Sequence, residues 1–159
     1  MNKVKSVVIL ICMVVSLQVS AKNYLDEESV NNLMENIIEA VHTKNLEQLA
    51  SSFSDDVKII MDLPAEFGGK ETLTKDQYLE LTQESWAMPG DFTYEVLDLN
   101  IVLSNNKTSA IVTDKVVETI VLNGKLLIST TSDESFHIVI EDGLPKVEIV
   151  YAKLRVNDL

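Results

Sequence analysis

The sequence predicts an α+β fold in which N-terminal helices pack on an antiparallel meander of four strands. Three observations predict it. Apolar residues at Val30, Leu33, Met34, Ile37, Ile38 and Val41 recur with helical spacing and make one stripe. Four long extended segments then follow one another, joined by short connections. Between the second and third lies Asn123-Gly124, flanked by β-branched runs, and this pair suits the two positive-φ positions of a tight hairpin turn.

Residues Met1 to Ala21 precede the domain. Lys3 and Lys5 stand before the apolar run Val7 to Val15, and Val19-Ser20-Ala21 places small residues where a signal peptidase reads. Ser16 and Gln18 interrupt the run well short of the ~20 apolar residues that a membrane span needs. The segment is therefore expected to be a signal peptide cleaved after Ala21, with residues 22–159 as one domain in the periplasm or outside the cell. Cys12 follows the bulky Ile11, which does not suit lipidation, and it is the only cysteine. The exported chain would then hold itself by its core without disulfides.

Of 159 residues, 25 are acidic and 13 basic, a net charge of −12; without Lys3 and Lys5 the balance is 11 basic against 25 acidic, or −14. Such a surface repels phosphate backbones and anionic lipid heads, so nucleic acid and membrane surfaces are not expected partners.

The first helix is expected from Val30 to Val41, with Ser29 as N-cap and Asp26, Glu27 and Glu28 placed well for the helix dipole. Thr43-Lys44-Asn45 interrupts it. Leu46, Leu49, Ala50 and Phe53 make a second short stripe, stopped by Ser54-Asp55-Asp56, and Val57 to Met61 reads as a brief strand ending at Asp62-Leu63-Pro64. Phe67 to Lys70 reads as a loop. Thr74 and Gln77 form a capping box for a third helix, with Leu73 and Tyr78 as its hydrophobic staple and Pro89-Gly90 as its stop. The meander strands are Phe92 to Leu103, Ser109 to Leu122, Lys125 to Ile140 and Lys146 to Val156.

If Leu122 pairs with Lys125 and no bulge intervenes, one sheet face carries Ile111, Val117, Val121, Leu126, Ile128, Phe136, Ile138 and Ile140. Thr113, Thr119, Thr130 and Ser132 are set between them. The other face carries Asp114 opposite Asp133, with Glu118, His137 and Val139. Buried like charges are costly, so the first face is expected to be the inner one. Aliphatic residues with hydroxyls at intervals suit a pocket for a mostly apolar small molecule; they equally suit a packed core. Pairing Ile140 with Val147 sets Phe136 against Tyr151 and Glu134 against Lys153, as a pocket rim or as ordinary cross-strand pairs. Trp86 falls where it lines a cavity mouth or fills the core. Trp86, Thr119, Thr130, Phe136 and Tyr151 are thus the candidate ligand-binding residues.

The order of elements resembles the nuclear transport factor 2-like (SnoaL-like) superfamily across the whole exported chain. The most suggestive stretch is Ala40 to Val57, where a small polar turn precedes Leu46-Glu-Gln-Leu49 and Phe53-Ser-Asp-Asp56. The resemblance implies a strongly bent sheet wrapped on the helices as a cone, a cavity at its open end and frequent dimerisation. Enzymatic relatives such as ketosteroid isomerases carry a tyrosine on the first helix and an aspartate after the first short strand. Those positions fall near Ile37 and Met61 here, which leaves Asp62 as the candidate base and no matching hydroxyl. An epoxide-hydrolase-like Asp–Arg–Asp set has only Arg155 to draw on.

His42 is expected to face the dipole of the first helix, and His137 to lie on the outer face. Asp114 and Asp133 together make a poor cation site, and the sequence has no metal-ligand spacing, nucleophile motif or glycine-rich phosphate loop, so no cofactor is implied. Asn106-Lys107-Thr108 matches a glycosylation sequon without consequence in a bacterial protein. Three functions remain. The first is a non-catalytic domain binding an apolar small molecule or a protein partner. The second is a small isomerase, dehydratase or cyclase using Asp62 with Tyr94 or Tyr151. The third is a homodimeric accessory protein with a filled cavity.

Overall fold

The computed structural model describes residues 23–157, so the expected signal peptide lies outside the described residues. Helix α1 spans Glu27–Thr43. Its cap is Asp26 rather than Ser29: the Asp26 carboxylate accepts from the Ser29 amide at 2.8 Å, and the Asp26 amide donates back to the Ser29 hydroxyl at 3.1 Å. This reciprocal pair starts the helix three residues earlier than an N-cap at Ser29 would, and satisfies two otherwise orphaned donors. Val30, Leu33, Met34, Ile37, Ala40 and Val41 are buried along one face, as the spacing requires.

Helix α2 is short, Leu46–Ser51, capped by the Asn45 side chain. Phe53 does not extend it but opens strand β1, Phe53–Asp62. The Val147 amide bonds the Ser52 carbonyl at 3.0 Å, and Phe53 pairs with Val147, so the sheet takes over where the helical stripe was expected to continue. After a 3-10 turn at Ala65–Phe67, strand β2 (Lys70–Leu73), which the sequence did not signal, starts at the last residue of the expected loop and returns antiparallel to β1. Nothing in Lys-Glu-Thr-Leu alternates; the pairing comes from the turn, where Gly68 and Gly69 both have positive φ.

Helix α3 spans Lys75–Ala87, and its capping box is present. The Thr74 amide donates to the Gln77 side chain at 2.9 Å and the Gln77 amide to the Thr74 hydroxyl at 3.3 Å. Gly90 lets the chain leave this helix against the sheet: a Cβ there would meet the Val121 carbonyl oxygen at 2.8 Å.

Strands β3 (Asp91–Leu103), β4 (Ser109–Leu122), β5 (Lys125–Glu141) and β6 (Leu144–Val156) form the meander. With β1 and β2 they make one six-stranded sheet, ordered β2-β1-β6-β5-β4-β3, in which β1 lies parallel to β6. Leu122 pairs with Lys125 across the Asn123-Gly124 turn, as expected. Then the register slips. Val121 pairs with Leu126 and Ile120 with Ile128, which leaves Leu127 unpaired as a bulge. From there Phe136 faces Val112, not Ile111.

A one-residue slip turns a whole strand over. Ala110, Val112 and Val116 are buried at 0–1% exposure, while Ile111 is 41% exposed. Beyond the bulge the inner face expected on β5 holds, with Phe136 and Ile138 buried, but Leu126 and Ile128, also expected there, are exposed, and the face expected on β4 is reversed. Two further bulges bend the sheet. Asp98 and Leu99, the former at φ 54°, lie between the Leu97–Lys115 and Asn100–Thr113 pairs. Glu148 lies between the Val147–Ile138 and Ile149–His137 pairs. Ile140 pairs with Pro145 and not with Val147 as expected, and the Glu148 bulge recovers only one of the two residues of offset. Phe136 therefore faces Val150 and Glu134 faces Ala152, and the expected Phe136–Tyr151 and Glu134–Lys153 pairs do not form. The core lies between α1 and the inner face, where Val30, Met34 and Ile37 meet Ile59, Val112, Ile138 and Val147.

Candidate functional site

Helix α3 has no fully buried residue, although Tyr78, Leu81, Thr82, Ser85 and Trp86 follow one helical face toward the sheet. Tyr78 and Trp86 pack in part against the core, and the face also borders open space. The space is a cavity of about 250 Å³. Ile37 and Val41 of α1 close one side; Met61 of β1, Leu63 just after it, Phe92 of β3 and Val150, Ala152 and Leu154 of β6 supply apolar wall.

The polar lining is concentrated on β3, β4 and β5 as Tyr94, Glu118, Ser132 and Glu134, with Tyr78 facing from α3. The Ser132 hydroxyl donates to Glu134 Oε1 at 2.6 Å, and Thr130 reaches Glu118 Oε2 at 3.4 Å. Asp114 pairs across the strands with Glu134 and is 7% exposed; its Oδ1 has no hydrogen-bond partner among the described residues. The Tyr78 ring is held edge-on to Phe53, with centroids 5.8 Å apart. His42 braces Tyr94 from outside, its Nε2 donating to the Tyr94 carbonyl oxygen at 2.9 Å.

Burial disfavours charge on every one of these groups. Desolvation pushes Glu134 up to about 7, against the Ser132 hydrogen bond and with help from Asp114 and Glu118. It pushes Asp114 up to about 6 and raises Glu118, the latter opposed by Thr130. The Tyr94 and Tyr78 phenols are also raised, by burial first and by Glu134 next. Among the described residues no lysine, arginine or histidine lines the cavity. Among the described residues no three of His, Cys, Asp and Glu are arranged to hold a metal. The arrangement offers a carboxyl that exchanges its proton near neutrality beside two neutral phenols in an apolar chamber, which is the equipment of general acid–base chemistry.

The sequence-expected residues divide. Trp86 and Phe136 line the cavity, and so does Tyr94. Thr130 shares the inner face but bonds Glu118 behind the lining. Thr119 lies on the outer face, where its hydroxyl meets that of Thr93; the Leu127 slip turned it outward. Asp62 and Tyr151 also lie off the cavity. Alternation along β1 sends Met61 and Leu63 inward and Asp62 outward, where Asp62 accepts from the Tyr151 hydroxyl at 2.9 Å. That bond raises the Tyr151 phenol, and Lys70 sits over its ring at 5.5 Å.

Asp114 and Asp133 are not opposite one another: Asp133 pairs with Lys115 and holds Arg155 at 2.6 Å. His137 is on the outer face, 3.0 Å from Glu148. Sequence reasoning missed Glu118 and Asp114 as inward groups. The available signal was Leu126-Leu127-Ile128, three consecutive apolar residues that break the alternation just after the turn.

No protein-family model matches the sequence, and no curated protein does. Solved structures match it along most of its length. LinA superposes with a TM-score of 0.65 at 17% identity, over 83% of this chain and 88% of its own. The hexachlorocyclohexane dehydrochlorinase LinA-type3 from Novosphingobium barchaimii gives 0.61 at 17%, over 82% and 86%. An NTF2-like protein from Cytophaga hutchinsonii gives 0.61 at 17%, over 81% and 98%. Helices on a curled six-stranded sheet, with a chamber beneath the third helix, give this chain the nuclear transport factor 2-like fold.

Proposed function

We propose that the protein binds a mostly apolar small molecule in the cavity beneath α3, with Glu134 and Tyr94 at the polar end of the site. The observation that carries this reading is the inward face of α3, whose five side chains border a 250 Å³ space between the helix and the sheet. Concave, largely apolar chambers with a few convergent polar groups are the usual form of such sites. Trp86 is the single tryptophan and lines the cavity, so its emission reports occupancy directly. Titration with naphthalene should shift that emission saturably. Ala152→Leu, which fills the wall opposite, should weaken binding by about tenfold or more. An unchanged affinity in that variant rejects this cavity as the site.

One observation favours a second reading, proton transfer: the Glu134 carboxyl is poised at about 7 beside Tyr94. The same fold serves a hexachlorocyclohexane dehydrochlorinase, so elimination chemistry is compatible with it. On hydrophobic carbonyl compounds, turnover that Glu134→Gln abolishes and Asp62→Asn leaves intact would support catalysis. Its absence leaves binding as the function.

The working form we propose is an exported protein beginning at Lys22 and paired with a second copy through the outer sheet face, where Val102 and Ile111 are exposed neighbours. Native mass spectrometry of protein recovered from the producing cell should give twice the mass of residues 22–159. A single-copy mass, or one retaining Met1 to Ala21, overturns the corresponding half of this statement.

A further inference from the structure

We infer that the molecule taken into the cavity is a hydrophobic cation, an amine or quaternary ammonium whose charged end lies against the carboxyls of Glu118 and Glu134, with Asp114 paired across the strands to Glu134. The inference rests on the cavity being a binding site and names the class of molecule it takes.

Three carboxyls share the inner face of β4 and β5. Asp114 is directly opposite Glu134, and Glu118 stands opposite Thr130. Nothing inside balances them. The basic residues of the neighbouring strands are turned away: Lys115 and Lys153 both pair with Asp133 in the sheet, and Arg155 binds its carboxylate. From α3, Lys75 is engaged with Asp55 and the Phe53 carbonyl; from the end of α1, Lys44 bonds the Trp86 carbonyl from outside. His42 is spent on the Tyr94 carbonyl. The titratable groups that face Glu134 are therefore Asp114, Glu118, Tyr94 and Tyr78, with Glu71 of β2 also on the lining, and none of them carries positive charge.

The second observation is independent of the cluster's sign. Asp114 is 93% buried, yet Oδ1 has no partner among the described residues, a condition that native interiors avoid unless something else satisfies the group. Asp114 stands directly opposite Glu134, which lines the polar end of the chamber. The rest of the lining suits the same guest. Phe53, Tyr78, Trp86, Phe92, Tyr94 and Phe136 surround the space, and aromatic faces attract ammonium groups while accepting alkyl ones. A neutral apolar guest would leave the carboxyls uncompensated, and an anion would be repelled.

The test compares trimethyl(phenyl)ammonium with tert-butylbenzene, its uncharged isostere, by calorimetry and Trp86 emission on the exported chain. At about pH 8 the cation should bind about tenfold or more tighter than the isostere, and by about pH 5, where Asp114 and Glu134 hold their protons, most of that advantage should be gone. Glu134→Gln should remove much of the cation's advantage while leaving tert-butylbenzene within about twofold. A cation bound no tighter than its isostere, or an advantage that does not change with pH, overturns the inference while leaving the cavity a site. Binding of neither compound overturns both. The wild-type pH series decides the matter even if the Glu134 variant does not fold.

Discussion

The double substitution Asp114→Asn, Glu134→Gln is expected to make the protein more stable, by about 3 kcal/mol at about pH 8, and to change it by less than about 1 kcal/mol at about pH 4. The sign follows from the direction of the shifts. Burial raises Asp114 from 3.8 to about 6 and Glu134 from 4.5 to about 7. Between those limits the unfolded chain has already released both protons while the native chain holds them. Unfolding then releases protons, so native stability is full below about pH 4, falls as pH rises through 7, and is flat above. Each shift taken alone corresponds to about 3 kcal/mol, but part of Glu134's comes from Asp114, so the pair is worth less than twice one.

Thermal denaturation at the two pH values reads this as a rise in Tm of about 6–12 °C at the higher one. A loss of stability at about pH 8 would mean that the carboxylates are compensated, and the buried acidic wall would be wrong.

Val112→Lys should cost more than about 4 kcal/mol, enough to abolish folding in a marginally stable domain, whereas Ile111→Lys should cost less than about 1 kcal/mol. Val112 is fully buried in the core against α1, and a lysine there must carry its charge out of water into that core. Ile111 is 41% exposed on the other face. Urea denaturation of the two variants distinguishes the slipped register from the unslipped one directly. Equal costs, or a larger cost at Ile111, would restore Ile111 and Thr119 to the inner face and remove Glu118 from the cavity.

Adjacent residues with opposite fates mark the limit of what the chain discloses. The α1 stripe, the Thr74–Gln77 capping box and the Asn123-Gly124 turn were all legible, because each depends on residues within a turn or two of one another. Trp86 and Phe136 were legible for the same reason: helical phase placed one, and strand alternation from an intact part of β5 placed the other. Strand β2 was not, since Lys70–Leu73 has no pattern of its own and forms only because β1 offers an edge. Nor was the exclusion of Asp62, whose neighbour Met61 took the inward position on β1.

By itself the sequence determined the helices, the hairpin, the order of the meander and the acidic excess, all of which are set by local spacing or by composition. The tertiary structure decided which side of β4 faces inward. That choice turns on Leu127 standing unpaired, and a single unpaired residue exchanges the two faces of everything beyond it. Ala110, Val112 and Val116 are buried as a result, at the expense of taking Asp114 and Glu118 inside as well. No run of residues read alone weighs apolar burial against carboxylate desolvation across two strands; only their packing against α1 does.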